Sequence, residues 1–551
     1  MKPDNAILKA AMALAFPCFY LLATCAIAAA PLDMAPGRVT GMVSDTEGRP
    51  LSGAFVNLRS PSRGLQVTVI SGRDGAIAIS LPAGSYSAVG QLRGYDDSSP
   101  QNVSVTTGQK TAIKLALKQD QDPLHLESQI GGAELLSLLP DDARQAMMHR
   151  CAACHSLAVL GGKRMSQAGW GAIVERMSHK EPAGRGEGDA LAPWEANPWS
   201  NSTAVLVKYF SPENPAYHYD PFSLHNSAEE ISKMIFKEYQ LKRPETNVHD
   251  IAVDASGKRV WYDDQASGEV EKTGLFGYLD PVTEESREYR VPQCHGLGGR
   301  ILADSSGGVW AGCADALAHW TPQTDALTIY PIDKYGMREL WTVDSKGYPF
   351  TPLHPRDVDP NGDRRFSYIG KLDLKTMRWD LFKIPTPWGN AYETVTDSKD
   401  NIWFTEIATD TMGKLDPRTG QISEYPVPTK GSHPRRLAVD PHDNVWFTEY
   451  AGNKLGVVDS KTGKLTEYEL PAPNSAPYAC GVDKNGIVWF SEIAAMRVGR
   501  FDPKTKTFRE YPIPDRLSSI KNLNFTYTDR KEVIWASDRT AAKIIEIDIP
   551  E

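Results

Sequence analysis

The chain has no block or stripe of basic residues. Its 60 lysines and arginines are outnumbered by 69 aspartates and glutamates, for a formal charge of −9, which argues against nucleic acid as a partner. No long apolar run follows residue 30, so a polytopic membrane protein is excluded. Cysteine is scarce, at seven in 551 residues, with one C-x-x-C and neither a second such pair nor an H-x-x-x-H. A structural zinc site built on that C-x-x-C would lack its second ligand pair. No quinone-cofactor fingerprint is visible either. What is present is ordinary: 41% hydrophobic and 23% charged residues, the composition of a globular protein and not of a disordered or fibrous one. At roughly 100–200 residues per domain the length predicts about three domains.

The N-terminus reads as an address. Lys2 and Lys9 precede an apolar run from Ala10 to Ala30, and Ala26-Ile27-Ala28 fits the small-x-small rule of a signal peptidase. Residues 1–28 are therefore expected to be a signal peptide, with cleavage after Ala28 and a periplasmic or secreted product. An uncleaved anchor helix and a lipoprotein box at Leu22-Ala23-Thr24-Cys25 are the alternatives. The mature chain has no transmembrane segment in this reading. Export implies an oxidising compartment. Five cysteines remain, of which Cys294 and Cys313 are candidates for a disulfide that leaves Cys480 free.

From 37 to 118, short alternating runs (VTGMV, AFVNL, QVTVI, YSAVG, AIKLAL) are separated by Gly, Pro and Asp turns, the signature of an all-β sandwich. The phrases GMVSDTEGRPLSGAFVNL, SGRDGAIAIS and LPAGSYSAV resemble the carboxypeptidase regulatory-like domain. That resemblance implies an adhesive or spacer module without a catalytic group, and no cluster of His, Cys or carboxylates is visible within the segment. A polar linker follows, from Gln119 to Gly132.

Cys151-Ala152-Ala153-Cys154-His155 is a C-x-x-C-H, the pattern of c-type haem attachment: two thiols on one helical turn meet the two vinyl groups and the next residue reaches the iron. A disulfide, a thioredoxin-like pair and half a zinc site are the other readings of the motif. Trp170, Ile173, Val174 and Met177 follow at helical spacing, and TAVLVKYF ends the segment. The stretch 133–215 resembles small mono-haem cytochrome c domains. The resemblance implies one covalent haem c with His155 proximal and Met177 distal, with Met165, His179 or an open position as rivals.

From 232 to 551 the chain is periodic. An aspartate turn recurs at Asp254, Asp304, Asp344, Asp397, Asp440, Asp483 and Asp529, each followed by an aromatic, Trp261 to Trp535. Repeats of 40–50 residues with four short strands each read as propeller blades, with a solenoid as the alternative. The closing aromatic phrase is offset. One copy, FKEYQL, precedes the first turn and none follows the last, so this N-terminal copy is expected to pair beside the C-terminal strand and close a seven-bladed ring. The phrases W-F-T-E and G-x-L-D-P-x-T-G resemble the virginiamycin B lyase (streptogramin lyase) family of seven-bladed propellers. The expected fold class is thus multidomain and mainly β: a seven-bladed β-propeller, a small β-sandwich and an all-α cytochrome c domain.

Two columns of the repeat carry candidate chemistry. The Glu position of W-F-T-E holds Asp264, Cys313, Thr351, Glu406, Glu449, Glu492 and Asp538. A carboxylate ring at one mouth suits Mg²⁺ or Ca²⁺; the same residues also serve as acceptors for turn N–H groups. A more varied column includes His249, Glu339, Tyr392, Arg435, Tyr478 and Asn524, flanked by Asp250, Glu393 and Arg436. Variation the fold does not need marks this mouth as the ligand surface. The lyase resemblance implies a metal-bound carboxylate pair with a histidine two residues after one W-F-T-E glutamate. Here those positions are Ala408, Ala451 and Ala494, which leaves His249 as the substitute base. Three functions follow: an exported cytochrome with haem-mediated electron transfer coupled to a propeller that binds a redox partner or small-molecule substrate; a metal-dependent C–O lyase with an accessory haem domain; and a non-enzymatic binding or surface module.

Overall fold

The computed structural model describes residues 36–549 apart from 151–155, 179–201, 219–225, 266–273, 356–364 and several loop positions of one to three residues. The signal segment 1–28, Cys151, Cys154, His155 and Glu339 lie outside the described residues.

The alternating runs of the first domain become two facing sheets. Gly37–Asp45 sits between Ala76–Leu81 and Lys110–Leu117, and the second sheet orders Leu65–Ile70, Phe55–Ser60, Gly84–Gln91 and Gln101–Val105 side by side. Because successive side chains point to opposite faces, Val39, Val43, Ile113 and Leu115 meet Val56, Leu58, Val67 and Val103 in one buried core.

Seven antiparallel sheets follow, each running outward from an inner strand. The repeated residues explain one another. In the fourth blade Asp397 Oδ1 accepts the Lys399 and Asn401 amides, both at 2.9 Å, and its Oδ2 accepts Trp403 Nε1 at 3.0 Å. Asp440 with Trp446 and Asp483 with Trp489 repeat the arrangement at 3.1 and 3.0 Å. The aspartate thus shapes the turn and fixes the indole. The indole then stacks on the closing tyrosine: Trp403 on Tyr425 at 5.5 Å and Trp446 on Tyr468 at 6.0 Å between ring centroids. A glycine opposite the W-F-T-E phenylalanine is obligatory, since a Cβ on Gly456 would lie 2.0 Å from the Phe447 ring.

Strand Ile235–Gln240 closes the ring. It pairs antiparallel with Lys543–Asp548 (Tyr239 opposite Ile544), and its other edge pairs with Leu65–Ile70 of the sandwich (Tyr239 opposite Leu65). The seventh blade and the second sandwich sheet are therefore one eight-stranded sheet.

The expectation of a separate all-α cytochrome c domain at 133–215 is corrected. The segment carries short helices, Gly132–Ser137, Asp141–Arg150, Gln167–Ser178 and Ser202–Phe210, and among the described residues their apolar core is continuous with that of the propeller. Leu135, Leu136, Met147, Trp170 and Phe210 share one apolar cluster with Tyr392, Ile407, Tyr450, Tyr478 and Ile493 of the propeller. Polar contacts follow the same seam: Ala133 donates its amide to the Ala494 carbonyl at 2.7 Å, and Asn474 Nδ2 bonds Ser137 Oγ at 2.9 Å. The helices cap one mouth of the propeller, and the molecule is mainly β. Among the described residues no helix is long and apolar enough to cross a membrane.

Cys294 and Cys313 form a disulfide across 19 residues, both buried, and Cys480 is free. Cross-linking a loop of this length restricts the unfolded chain by about 3 kcal/mol. Cys313→Ser should therefore lower the midpoint of thermal unfolding measured without reductant. In saturating reductant the two proteins should melt together.

Candidate functional site

Five inner strands slip register at equivalent places, between Leu297 and Ile301, Ala391 and Thr394, Pro434 and Leu437, Pro477 and Cys480, and Ile520 and Leu523. A β-bulge re-aims side chains, and here it places consecutive residues, Tyr392-Glu393 and Arg435-Arg436, among the groups around the axis. In the seventh blade the equivalent pair is Lys521-Asn522 and not Asn524. Sequence alignment missed both, because a bulge leaves no mark in hydrophobic periodicity. Asn524 instead bonds the Ile251 carbonyl at 2.7 Å.

The bulge residues and their neighbours bind one another. Arg436 reaches both oxygens of Asp250 at 2.9 Å, and its Nη1 lies 3.4 Å from Glu393. Arg300 approaches Glu393 at 3.3 Å, Asn522 donates to Asp250 at 2.7 Å, and His249 Nδ1 lies 2.6 Å from Asp250. Burial alone would raise the Asp250 carboxyl; Arg436 and His249 outweigh it and hold it below the usual range. Glu393 goes the other way, pushed up by burial against the pull of Arg436 and Arg300. His249 is only 2% exposed, so it offers no base at an open mouth. Above the network Arg435 stands over Tyr392, Tyr450 and Tyr478 with 4.9–5.7 Å to the ring centroids, and Lys521 over Tyr478 at 4.0 Å. Tyr450 donates to the Met148 carbonyl at 3.3 Å, under the helical cap.

The W-F-T-E column does not form a metal ring, and the expected Mg²⁺ or Ca²⁺ there is corrected. Glu406, Glu449 and Glu492 are fully buried, each in its own blade. Each faces a glutamate from the outermost strand of the same blade. Burial, followed by the neighbouring Glu424 carboxyl, pushes Glu406 up to about 9. Burial and then Glu467 or Glu510 push Glu449 and Glu492 up to about 8. Among the described residues these carboxylates do not converge in any group of three donors that could hold one ion. Asp264 accepts the Asn247 amide at 2.9 Å and pairs with Arg243 at 3.1 Å, while Asp538 accepts from Ser518 Oγ at 2.8 Å and the Thr540 amide at 2.9 Å. The column is architecture.

The haem c assignment falls with the domain that was to carry it. Of its ligand set only Met177 is described, half-buried at the end of Gln167–Ser178 and outside the cluster that takes in Trp170 and Val174. The apolar helical stripe that suggested a porphyrin pocket packs instead against propeller tyrosines.

A cleft of about 910 Å³ lies between the sandwich and the seventh blade. Its lining includes Asn57, Gln66, Gln91, Tyr95, Glu238 and Lys543. Asn57 Nδ2 bonds Gln91 at 2.6 Å and Gln66 bonds Glu238 at 3.0 Å. Nothing in the sequence marks these residues, since they meet only when two distant segments share a sheet.

Comparison with known proteins agrees with this architecture. Residues 361–550 match the virginiamycin B lyase family, and residues 38–118 match the carboxypeptidase regulatory-like domain. Neither family match covers the helical segment. A virginiamycin B lyase from Staphylococcus aureus has a similar fold over 58% of this chain and 100% of its own, at 22% identity and a TM-score of 0.50. A streptogramin B lyase aligns over 58% of this chain and 99% of its own, at 22% identity and a TM-score of 0.49. No curated protein is detectably similar in sequence.

The paired carboxyls set a pH dependence. A group whose folded value lies above its unfolded one keeps its proton while the unfolded chain loses it, so stability falls as pH rises from about 4.5 toward 9. Glu406→Gln imitates the protonated form. It should leave the melting temperature unchanged at pH 5 and raise it at pH 9, by roughly 2–4 °C for each kcal/mol recovered.

Proposed function

We propose that this chain is an exported, non-catalytic binding protein on a lyase-type propeller, with its ligand held in the cleft between the sandwich and the seventh blade. The observation that carries the reading is the shared eight-stranded sheet, which gives the cleft a rigid floor continuous across two domains. The lining favours an uncharged, hydroxyl-rich ligand. Amides of Asn57, Gln66, Gln91 and Gln240 line it, each using part of its hydrogen-bonding capacity within the protein and keeping the rest for a ligand. The charges are largely spent on each other, Lys543 on Asp515 at 2.9 Å and on Glu238 at 3.2 Å, and Arg93 on Glu134 at 2.8 Å. Phe55 and Tyr95 add apolar faces. Elimination chemistry has less support. Alanines stand where the base is expected, the repeated glutamates are buried within separate blades, and Arg436 is paired with Asp250 at the axis.

A metal-dependent C–O lyase is the second reading, favoured by the family match at 361–550. Two assays separate them. Calorimetric titration with a panel of neutral oligosaccharides should find a binder whose affinity drops at least tenfold in the double variant Asn57→Ala/Gln91→Ala; no binding across the panel would contradict the ligand class. Incubation with a streptogramin B and Mg²⁺ should leave the ring intact. Opening that EDTA abolishes would overturn the non-catalytic reading.

A further inference from the structure

We propose that Asp96, Asp120 and His125 form a site for a divalent transition metal, zinc-like in its donor set, at the rim of the cleft. The inference is independent of what the cleft binds. The three residues come from a sandwich loop, the linker and the helix Pro123–Ser128. Among the described residues they are the one group that brings three candidate donors within 4.8 Å of one another. His125 Nδ1 lies 2.7 Å from Asp120 Oδ2 and 3.7 Å from Asp96 Oδ1. Donors on one ion with bonds of about 2.0–2.2 Å sit roughly 3 Å apart. The exposed side chains of Asp96 and His125 therefore need only small rotations to converge on an ion beside Asp120.

The supports are built as metal supports are. The backbones are locked: the Asp96 amide bonds the Lys118 carbonyl at 2.8 Å and the Asp120 amide bonds the Gly94 carbonyl at 3.0 Å. Asp120 is the fixed ligand, its side chain only 2% exposed while those of Asp96 and His125 are 42% and 45% exposed. Its Oδ1 accepts the Asp122 amide at 2.9 Å, and its Oδ2 accepts Gln129 Nε2 at 3.3 Å. Gln129 is itself held by the Gly94 amide at 2.6 Å. Hydrogen bonds from a second layer of groups to a ligating carboxylate are the usual outer-shell device for orienting it.

The chemistry balances. Two carboxylates and a neutral imidazole offset a 2+ charge, and the ion replaces the hydrogen bond between Nδ1 and Asp120, as metal binding displaces protons from its ligands. An N,O,O set with imidazole selects zinc, cobalt or nickel over magnesium. Both Gln129 and His125 line the cleft, so the open coordination positions face it, for water or a ligand oxygen. The bound ion would also fasten the sandwich to the helical cap.

The test uses the full mature chain without an affinity tag. Titration with Co²⁺, followed by visible d–d absorption and by calorimetry, should show one ion per chain, displaced by Zn²⁺. His125→Ala and Asp96→Ala should each weaken binding at least tenfold. Both positions are exposed, so their metal-free melting temperatures should match the parent. Zn²⁺ should raise the melting temperature of the parent and not of His125→Ala. A parent that binds no ion, or variants that bind as tightly as the parent, would overturn the site and leave a His–Asp ion pair.

Discussion

Strand Ile235–Gln240 is hydrogen-bonded along both edges, and the rest of the molecule is arranged around that fact. On one side it completes the last blade through Lys543–Asp548; on the other it accepts Leu65–Ile70 of the sandwich. An unpaired strand edge is a standing invitation to aggregation. Ring closure removes the edges between blades, but the outer edge of each blade stays open. In the seventh blade the sandwich covers it. The same pairing fixes the angle between two domains that an ordinary linker would leave free to move, and so turns the space between them into a cleft with a defined floor.

The helical segment does for one mouth of the propeller what the sandwich does for its rim. Tyr392, Tyr450 and Tyr478 would otherwise present an aromatic surface to water; they are buried against Leu136, Met147 and Phe210. Beneath them Arg436, Asp250 and Glu393 form a set of buried charges, with the half-buried Arg300 at its edge. Such sets cost desolvation and repay it only when every member is matched. The groups around the axis are thus partners of one another.

What could be read from the sequence follows from how local each feature is. The blades were legible because Asp, Trp and Tyr recur at fixed spacing, and those residues make the turn, the anchor and the stack within one repeat. The sandwich was legible because alternation is a property of single strands. The offset closing phrase even indicated where the ring shuts. The helices misled for a physical reason: an apolar stripe headed by Trp170 looks the same whether it faces a porphyrin or the tyrosines of another domain. The bulges, the paired carboxyls such as Glu406 with Glu424, and the meeting of Asp96 with His125 were illegible, since each depends on register or on contacts between distant segments.

The central claim is that sandwich and propeller form one cooperative sheet. Native-state hydrogen exchange over increasing denaturant tests it most directly, because it reports opening free energies strand by strand. The account predicts that amides in Leu65–Ile70, Ile235–Gln240 and Lys543–Asp548 share a single opening free energy and merge into the global transition together. Exchange of Leu65–Ile70 through a separate, lower-energy opening, with Lys543–Asp548 still protected, would show that the sandwich is merely tethered and would contradict the account.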